Sequence, residues 1–177
     1  MENKSILMSI QPRWVAEILN GNKTIEVRKK FPKDYVGWVY IYCTKGKKLL
    51  MAQRGNFKGF ELINTKDYGD YVYTNICECL NGKVVARFWC DKVEEIKIDK
   101  GVMWRFGGHM YITDSVYDAT KLLRYSCLEQ YQLENYLQEK TGYAIHISKL
   151  EVFDKPKELK EFGITKAPQS YMFIEGE

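Results

Sequence analysis

Histidine is almost absent from this chain, and cysteine occurs only as a scattered, odd-numbered set. The residues concerned are His109, His146, Cys43, Cys77, Cys79, Cys90 and Cys127. Metal sites need several such ligands at suitable spacing, and small secreted domains carry dense, even-numbered cysteine frameworks. Cys77 and Cys79 have no second Cys or His pair near them in the sequence. We therefore expect no metal and no cofactor, and we expect most of the cysteines to be buried thiols.

Long apolar runs are also missing. No stretch approaches the roughly 20 apolar residues of a membrane-spanning helix. Residues 1–14 lack the apolar core and the small-residue cleavage site of a signal peptide. The expected location is therefore the cytoplasm, without membrane association.

The chain further lacks internal repeats, low-complexity tracts and linkers rich in Pro, Gly or Ser. With 177 residues, of which 45% are hydrophobic, it is long enough for a sizeable core. We expect a single domain over residues 1–177. A variable excursion is expected near residues 45–75, much of which is rich in Lys, Gly and Asn. The composition does not predict the oligomeric state.

The glycine fingerprints of dinucleotide-binding folds and of P-loops are absent, whereas positive charge is abundant at one end. Residues 1–66 carry 13 Lys and Arg against 5 Asp and Glu, a net charge of +8, and residues 67–177 carry 14 against 18, a net charge of −4. Clustered cations attract phosphates over roughly a Debye length. The asymmetry favours an anionic partner such as RNA, DNA or a nucleotide. An unevenly charged surface without a partner is the alternative.

The hydrophobic pattern predicts short strands and short helices in alternation. Strands are predicted at 6–10, 24–30, 38–43, 71–80, 83–90 with a bent continuation to 98, 143–153 and 171–174. Helices are predicted from Pro12 to a left-handed Gly21, and after caps at Ser126 and Asp154. Asn81-Gly82 between two β-prone runs predicts a hairpin. We expect an α+β fold, a small, mostly antiparallel β-barrel or curved sheet of about six strands with flanking short helices.

The segment NGNKTIEVRKK carries the main candidate site. In the predicted strand two apolar residues face the core, whereas Thr24, Glu26 and Arg28 share the polar face and Lys23 lies just ahead of it. Glu26 between two cations is expected to be ionised, and Arg28 offers a planar fork to phosphate. The alternative is a solvent-exposed ion-pair ladder along a strand edge, which contributes little stability.

Two further side chains are candidates for different reasons. Trp14, on the first turn of the predicted helix, is the ring expected at a cleft mouth, where it could stack on an unpaired base. His146 shares a strand face with Ala144 and Ser148. A histidine can act as a general base near neutral pH, but no paired nucleophile is evident. A hydrogen-bonded structural role is the favoured interpretation.

Three segments of the chain resemble the ASCH domain family of the PUA-like superfamily, particularly its small phage and bacterial members. They are ILMSIQPRWVAEILNGNKTIEVRKKFP, then SCLEQYQLENYL followed by GYAIHISKLEVFDKPKELKEFG, and finally APQSYMFIE. The most specific element is the motif Gly-x-Lys-x-x-Glu-x-Arg from Gly21 to Arg28. The resemblance implies a basic cleft between the first helix and the barrel, in which Lys23, Glu26 and Arg28 converge and RNA or a nucleotide binds.

Some ASCH members are enzymes, so whether this protein catalyses a reaction stays open. In an amidohydrolase group that acts on acetylated cytidine, a lysine is followed three residues later by a threonine nucleophile. Lys23 matches that lysine, but Glu26 stands three residues later and Thr24 only one, which disfavours that activity.

Two alternatives to simple binding follow. If the protein is an enzyme on a modified nucleoside or RNA, amidohydrolase-like or ribonuclease-like, Lys23 and Glu26 are its candidate catalytic residues. A protein-interaction module that uses the 45–75 excursion is the other alternative.

Overall fold

The computed structural model describes residues 4–53, 59–67, 77–99, 110–113, 119–138 and 140–175. Within these ranges twelve strands form three sheets, accompanied by three α-helices and two short 3-10 helices. The chain falls into two compact units. Unit 1 takes its described residues from 1–21, 37–89 and 149–177, and unit 2 from 22–36 and 90–148.

The largest sheet lies in unit 1 and has five strands in the order β11-β7-β3-β1-β12. Their bounds are β1 Ser5–Ile10, β3 Gly37–Cys43, β7 Val84–Cys90, β11 Ser148–Lys157 and β12 Tyr171–Ile174. β1 pairs in parallel with β3 and antiparallel with β12. β3 is the central strand, as its apolar sequence predicts, because a strand covered on both faces needs apolar side chains on both.

A smaller sheet of unit 1 has the order β5-β4-β6 and supports the first helix, α1. Its strands are β4 Lys48–Gln53, β5 Gly59–Asn64 and β6 Cys77–Cys79. α1 spans Pro12–Leu19 and buries its apolar stripe, and the following Gly21 has a φ of 77°. The predicted helix bounds are thus confirmed, since proline favours the first turn and glycine the left-handed exit.

Unit 2 contains the third sheet, in the order β2-β10-β8-β9, with antiparallel pairing throughout. Its strands are β2 Ile25–Arg28, β8 Val93–Asp99, β9 Met110–Thr113 and β10 Gly142–His146. Helices α2 Ala119–Ser126 and α3 Gln130–Leu137 contribute leucines to its apolar core. This core also includes Ile25, Val27 and Ala144, so one face of β2 is anchored by apolar packing.

The predicted barrel of about six strands is not what the described residues form. They are mixed α and β and mostly antiparallel, as expected, but the three sheets stay open and the strands number twelve. Two of the unforeseen strands, β4 and β5, lie inside the 45–75 excursion. The run expected to continue bent through Asp91 instead ends at Cys90, and β8 begins at Val93 in another sheet.

The predicted hairpin at Asn81-Gly82 is wrong, although the turn itself is present. Gly82 has a φ of 81°. The flanking strands β6 and β7 belong to different sheets. The Asn81 carboxamide instead accepts a hydrogen bond from the Leu50 amide at 2.8 Å and donates one to the Lys48 carbonyl at 3.0 Å. A turn signal specifies the local backbone but not which strands pair.

Two predicted helix caps lie too early in the chain. Ser126 is the last residue of α2, and Glu129 caps α3 in a capping box with Gln132. Asp154 lies within β11, and Glu158 caps the short 3-10 helix Leu159–Phe162. Four-residue capping patterns recur often in sequences, so the pattern alone does not select the register.

The described helices are all short. None of them combines the length and the apolar content needed to cross a bilayer. The single-domain organisation over residues 1–177 stays a prediction.

Candidate functional site

Strand β2 presents its two faces to different surroundings. Val27 is paired with Ala144 of β10, and both belong to the apolar core of unit 2. Glu26 is paired with Ile145 and lies on the opposite face, because successive side chains of a strand alternate. The alternation predicted from the sequence is therefore present, and it places Glu26 and Arg28 on one face.

The three motif side chains Lys23, Glu26 and Arg28 meet in one chain of ion contacts. The Lys23 ammonium Nζ lies 3.3 Å from Glu26 Oε2, and Arg28 Nε lies 2.9 Å from Glu26 Oε1. Each oxygen of the carboxylate thus has its own cation. We call these three residues the ionic triad of unit 2.

Lys23 and Glu26 of the ionic triad are buried and Arg28 is partly buried, which the sequence did not predict. The side chains of Lys23, Glu26 and Arg28 are 2%, 7% and 12% exposed. A solvent-exposed ladder along a strand edge, the alternative considered from the sequence, is therefore wrong. Charges that are removed from water cost several kcal/mol each unless partners compensate them, so an arrangement of this kind demands close contacts.

Burial also changes the acidity of Lys23. Removal from water lowers the pKa of its ammonium below the ordinary 10.5, and the neighbouring Glu26 carboxylate offsets part of that change. The ammonium also donates a hydrogen bond of 2.7 Å to the Ser126 carbonyl, at the end of α2. Lys23 is therefore held by two elements of unit 2, β2 through Glu26 and α2 through its last residue.

Thr24 is positioned by its backbone and leaves its side chain exposed. Its amide donates to the Tyr125 carbonyl at 2.9 Å, and its carbonyl accepts from the Ile147 amide at 2.9 Å. The Thr24 side chain is open to solvent. The hydroxyl is thus available to a ligand.

Trp14 belongs to α1 in unit 1, whereas the other four candidate residues belong to unit 2. Its ring is half-buried, and the Arg13 guanidinium lies 4.6 Å from the ring centroid. A cation over an indole face is an attractive contact. Trp14 therefore has a basic neighbour over its ring.

A second charged cluster of unit 2 was only partly foreseen. His146 makes the hydrogen bond expected of a structural histidine, and its partner is Glu94, at 2.8 Å from Nε2. Glu94 is buried in β8 and also contacts the Lys92 ammonium. The sequence signal was an acidic residue in phase with apolar Ile96 along β8, which marks a carboxylate on a core-facing side.

No metal centre is evident among the residues that the structure describes, where no group of three or more His, Cys, Asp or Glu side chains is placed to hold an ion. His109 lies outside the described residues.

Comparisons with known proteins give a match in structure alone. No family model and no curated protein matches the sequence. The similar structures include the ASCH protein of Zymomonas mobilis and its serine-to-alanine variant, each with a TM-score of 0.57 and 14% identity over 98% of this chain and 89% of theirs. A tyrosine-to-phenylalanine variant of that protein has the same score and identity over 97% of this chain and 90% of its own. The resemblance to ASCH domains is thus confirmed at the level of the fold.

Proposed function

We propose that this protein binds RNA or a nucleotide through phosphate contacts to the ionic triad of unit 2. The observation that carries the proposal is the pairing of two cations, Lys23 and Arg28, with the single carboxylate of Glu26. Cations fixed in advance lose little conformational entropy when an anion binds. The ASCH fold and the basic N-terminal third support the same function.

The three residues have different roles in this proposal. Arg28 is the most exposed member, so its guanidinium is the direct contact to phosphate, for which its planar fork is suited. Glu26 has a cation at each oxygen and acts by orienting Arg28. Lys23 is the most buried member and fixes Glu26 from its other side. Thr24 adds an exposed hydroxyl as a hydrogen-bonding group for the ligand.

The test compares Arg28→Ala with Lys33→Ala as the matched control. Both substitutions remove one positive charge from unit 2, and both cations face a glutamate, but Lys33 is 61% exposed and its ion pair with Glu95 is 3.6 Å long. Fluorescence anisotropy at low salt, with a labelled single-stranded RNA and a labelled nucleotide, should show at least tenfold weaker binding for Arg28→Ala. Arg28→Lys should retain only part of the wild-type affinity, because lysine lacks the planar guanidinium.

Equal losses in Arg28→Ala and Lys33→Ala would mean that net charge alone governs binding, which contradicts a specific role of the ionic triad. The binding constant should also fall with rising salt, with a slope near −0.7 per phosphate contact to a single strand. Binding that is insensitive to salt would contradict phosphate recognition.

A second candidate function is hydrolysis of a modified nucleoside or of RNA. It is favoured by the lowered pKa of Lys23, because perturbed lysines are frequent in catalytic sites. In this case Glu26 acts as general acid or base and Lys23 stabilises negative charge that develops on the substrate. Glu26→Gln should then abolish product formation from the substrate while the ligand still binds.

The control for this second function is the folded state of the variant. Removing one partner of a buried ion pair destabilises a protein by about 3–5 kcal/mol, so activity is compared only at temperatures well below the midpoint of thermal unfolding of Glu26→Gln. A screen of acylated nucleosides and short RNAs that yields no product with the wild-type protein would rule out catalysis on these substrates.

A further inference from the structure

Unit 1 holds a basic cavity at the edge of its five-stranded sheet. β1 and β3 run parallel with Ile10 paired to Cys43, so both strands end at the same edge. The chain leaves β1 into α1 and leaves β3 into the loop that precedes β4. Residues that are about 30 positions apart in the sequence are thereby brought together, and a cavity of about 450 Å³ opens between them.

The lining of this cavity is cationic and contains no acid. Its charged and hydrogen-bonding side chains are Gln11, Arg13, Thr44, Lys45, Lys47 and Lys48. All four cationic residues are exposed. Among the described residues none of the three lysines has an acidic partner within ion-pair distance. Like charges that converge without acids repel each other, and a bound polyanion relieves that repulsion.

The walls of the cavity are held by backbone and side-chain contacts. The Thr44 amide donates to the Ile10 carbonyl at 2.9 Å, which ties the loop to the end of β1. Gly46 passes against Pro12, whose ring carbons lie 3.5 and 3.6 Å from the position of an added Cβ. The aliphatic part of Lys45 lies against Gly82. These contacts fix the loop so that its cations stay on one concave surface.

We infer that this cavity is a phosphate-binding site for RNA or a nucleotide, separate from the ionic triad of unit 2. The inference rests on the proposed function and names a second set of residues for it. Its size lies within the 300–1,000 Å³ usual for ligand sites. No aromatic side chain lines it, so it recognises phosphate groups and not bases. Trp14, against which Arg13 is stacked, offers a ring for a base beside it.

Charge elsewhere in unit 1 provides a contrast. A second cavity of about 530 Å³ is lined by Tyr40, Phe162 and Lys157 but also by the acids Glu161 and Glu175. An anion is not favoured there by the charges of the lining. The basic character at the ends of β1 and β3 is therefore a local property of that edge.

The test is a triple variant, Lys45→Ala, Lys47→Ala and Lys48→Ala, with a control that removes three exposed lysines of unit 1 outside the cavity. The control is Lys155→Ala, Lys160→Ala and Lys166→Ala. Both variants change the net charge equally, and unchanged melting temperatures confirm that both fold. Binding is measured with a single-stranded RNA, with ATP and with inorganic triphosphate, over a series of salt concentrations.

We expect the cavity variant to lose at least tenfold in affinity while the control loses less than threefold. With RNA as the ligand, the salt dependence of log K should become shallower by up to about 2, since each lost contact removes about 0.7. Loss confined to ATP and triphosphate would identify a free nucleotide as the source of the phosphate. Lys47→Glu alone should weaken binding of whichever probe the triple variant loses, because it places a carboxylate in the cavity.

Two results overturn the inference, and they are distinguishable. If the wild-type protein binds none of the three probes, both the proposed function and the second site are wrong. If the wild type binds and Arg28→Ala weakens binding, but the cavity variant keeps the affinity and salt slope of the control, only the second site is wrong.

Discussion

The ionic triad of Lys23, Glu26 and Arg28 shows how a short motif becomes a buried site. A buried carboxylate is compensated by cations only at close range. The contacts of Glu26 with Lys23 and Arg28, at 3.3 and 2.9 Å, are close enough. Such pairs rarely add net stability relative to apolar side chains. A binding role for these residues, as proposed above, does not require the triad to add net stability.

The lowered pKa of Lys23 predicts a dependence of stability on pH. The unfolded chain binds a proton at Lys23 up to about pH 10.5, whereas the folded chain releases it at a lower pH. The contribution of Lys23 to the free energy of unfolding therefore rises with pH between its lowered pKa and 10.5. This contribution is measured by urea unfolding of the wild type and of Lys23→Met between about pH 7 and pH 10.5.

The free energy of unfolding of the wild type, minus that of Lys23→Met, should increase as the pH rises towards 10.5. Other groups that titrate there are present in both proteins and cancel. A difference that stays constant over the whole range would show that burial does not perturb Lys23.

Gly142 is required by close packing and not by its backbone conformation. A Cβ at this position would lie 2.6 Å from Leu137 Cδ2 and 3.3 Å from the Arg28 carbonyl oxygen. Leu137 is fully buried, so it cannot swing away into solvent. Overpacking of this kind typically costs about 1–3 kcal/mol, and we expect Gly142→Ala to be destabilised by that amount in denaturant unfolding.

The control for Gly142 is Gly59→Ala in β5, where an added Cβ meets nothing within 4 Å. It should change the free energy of unfolding by less than about 0.5 kcal/mol. Combining Gly142→Ala with Leu137→Ala should cost less than the sum of the single changes, because the clash is then removed. If the two changes in the free energy of unfolding were strictly additive, the destabilisation by Gly142→Ala would not arise from a clash with Leu137.

At the scale of elements, those with a strong local sequence pattern were the most predictable. β1, α1, β3 and β12 have the expected type and nearly the expected bounds, since apolar periodicity, Pro12 and Gly21 act locally. The sequence does not predict β4 and β5, because Lys, Gly and Asn are frequent around them, and β4 pairs with β6 as well as with β5. Sheet membership depends on partners that are distant in sequence, which local signals do not identify.

The Asn81 turn illustrates a tertiary role that local propensity concealed. Its carboxamide bonds the backbone of β4 at Leu50 and Lys48 and so ties the turn to the smaller sheet of unit 1. Asn81→Ala removes both hydrogen bonds and should destabilise the protein by about 1–3 kcal/mol. Hydrogen exchange should also show reduced protection of the Leu50 amide.

The matched substitution for that experiment is Asn64→Ala, whose carboxamide makes an exposed hydrogen bond to Asp67. Little change in stability is expected there, because water replaces an exposed partner. Equal effects of the two substitutions would contradict the assigned role of Asn81.

At the scale of the whole molecule, each unit contains a buried thiol whose titration is linked to folding. Burial raises the pKa of Cys43 in unit 1 and of Cys90 in unit 2 from 9.0 to about 12. The unfolded chain loses these protons near pH 9, so the stabilising contribution is complete below pH 9 and is lost as the pH rises towards 12. The contribution of these two thiols to the free energy of unfolding should therefore decline between pH 9 and about 12.

The variant Cys43→Ala with Cys90→Ala should show a shallower alkaline decline in urea unfolding curves. Cys79→Ala keeps both buried thiols and should retain the slope of the wild type. An identical slope in all three proteins would show that the thiols do not govern the decline.

The sequence by itself determined the basic character of the N-terminal third, the helix from Pro12 to Leu19, the alternation of β2 and the set Lys23, Glu26 and Arg28. These follow from charge and from the periodicity of neighbouring residues, which act over a few positions. The resemblance to ASCH domains, read from the same residues, was borne out by the fold.

Only the tertiary structure decided the burial of the triad, the open sheets, the partnership of His146 with Glu94 and the cavity shared by Arg13 and Lys45. Burial and partnership arise when segments far apart in sequence are paired, as β1 and β3 are in parallel. The free energy of such contacts depends on solvent exclusion and distance, and neither quantity is encoded by spacing along the chain.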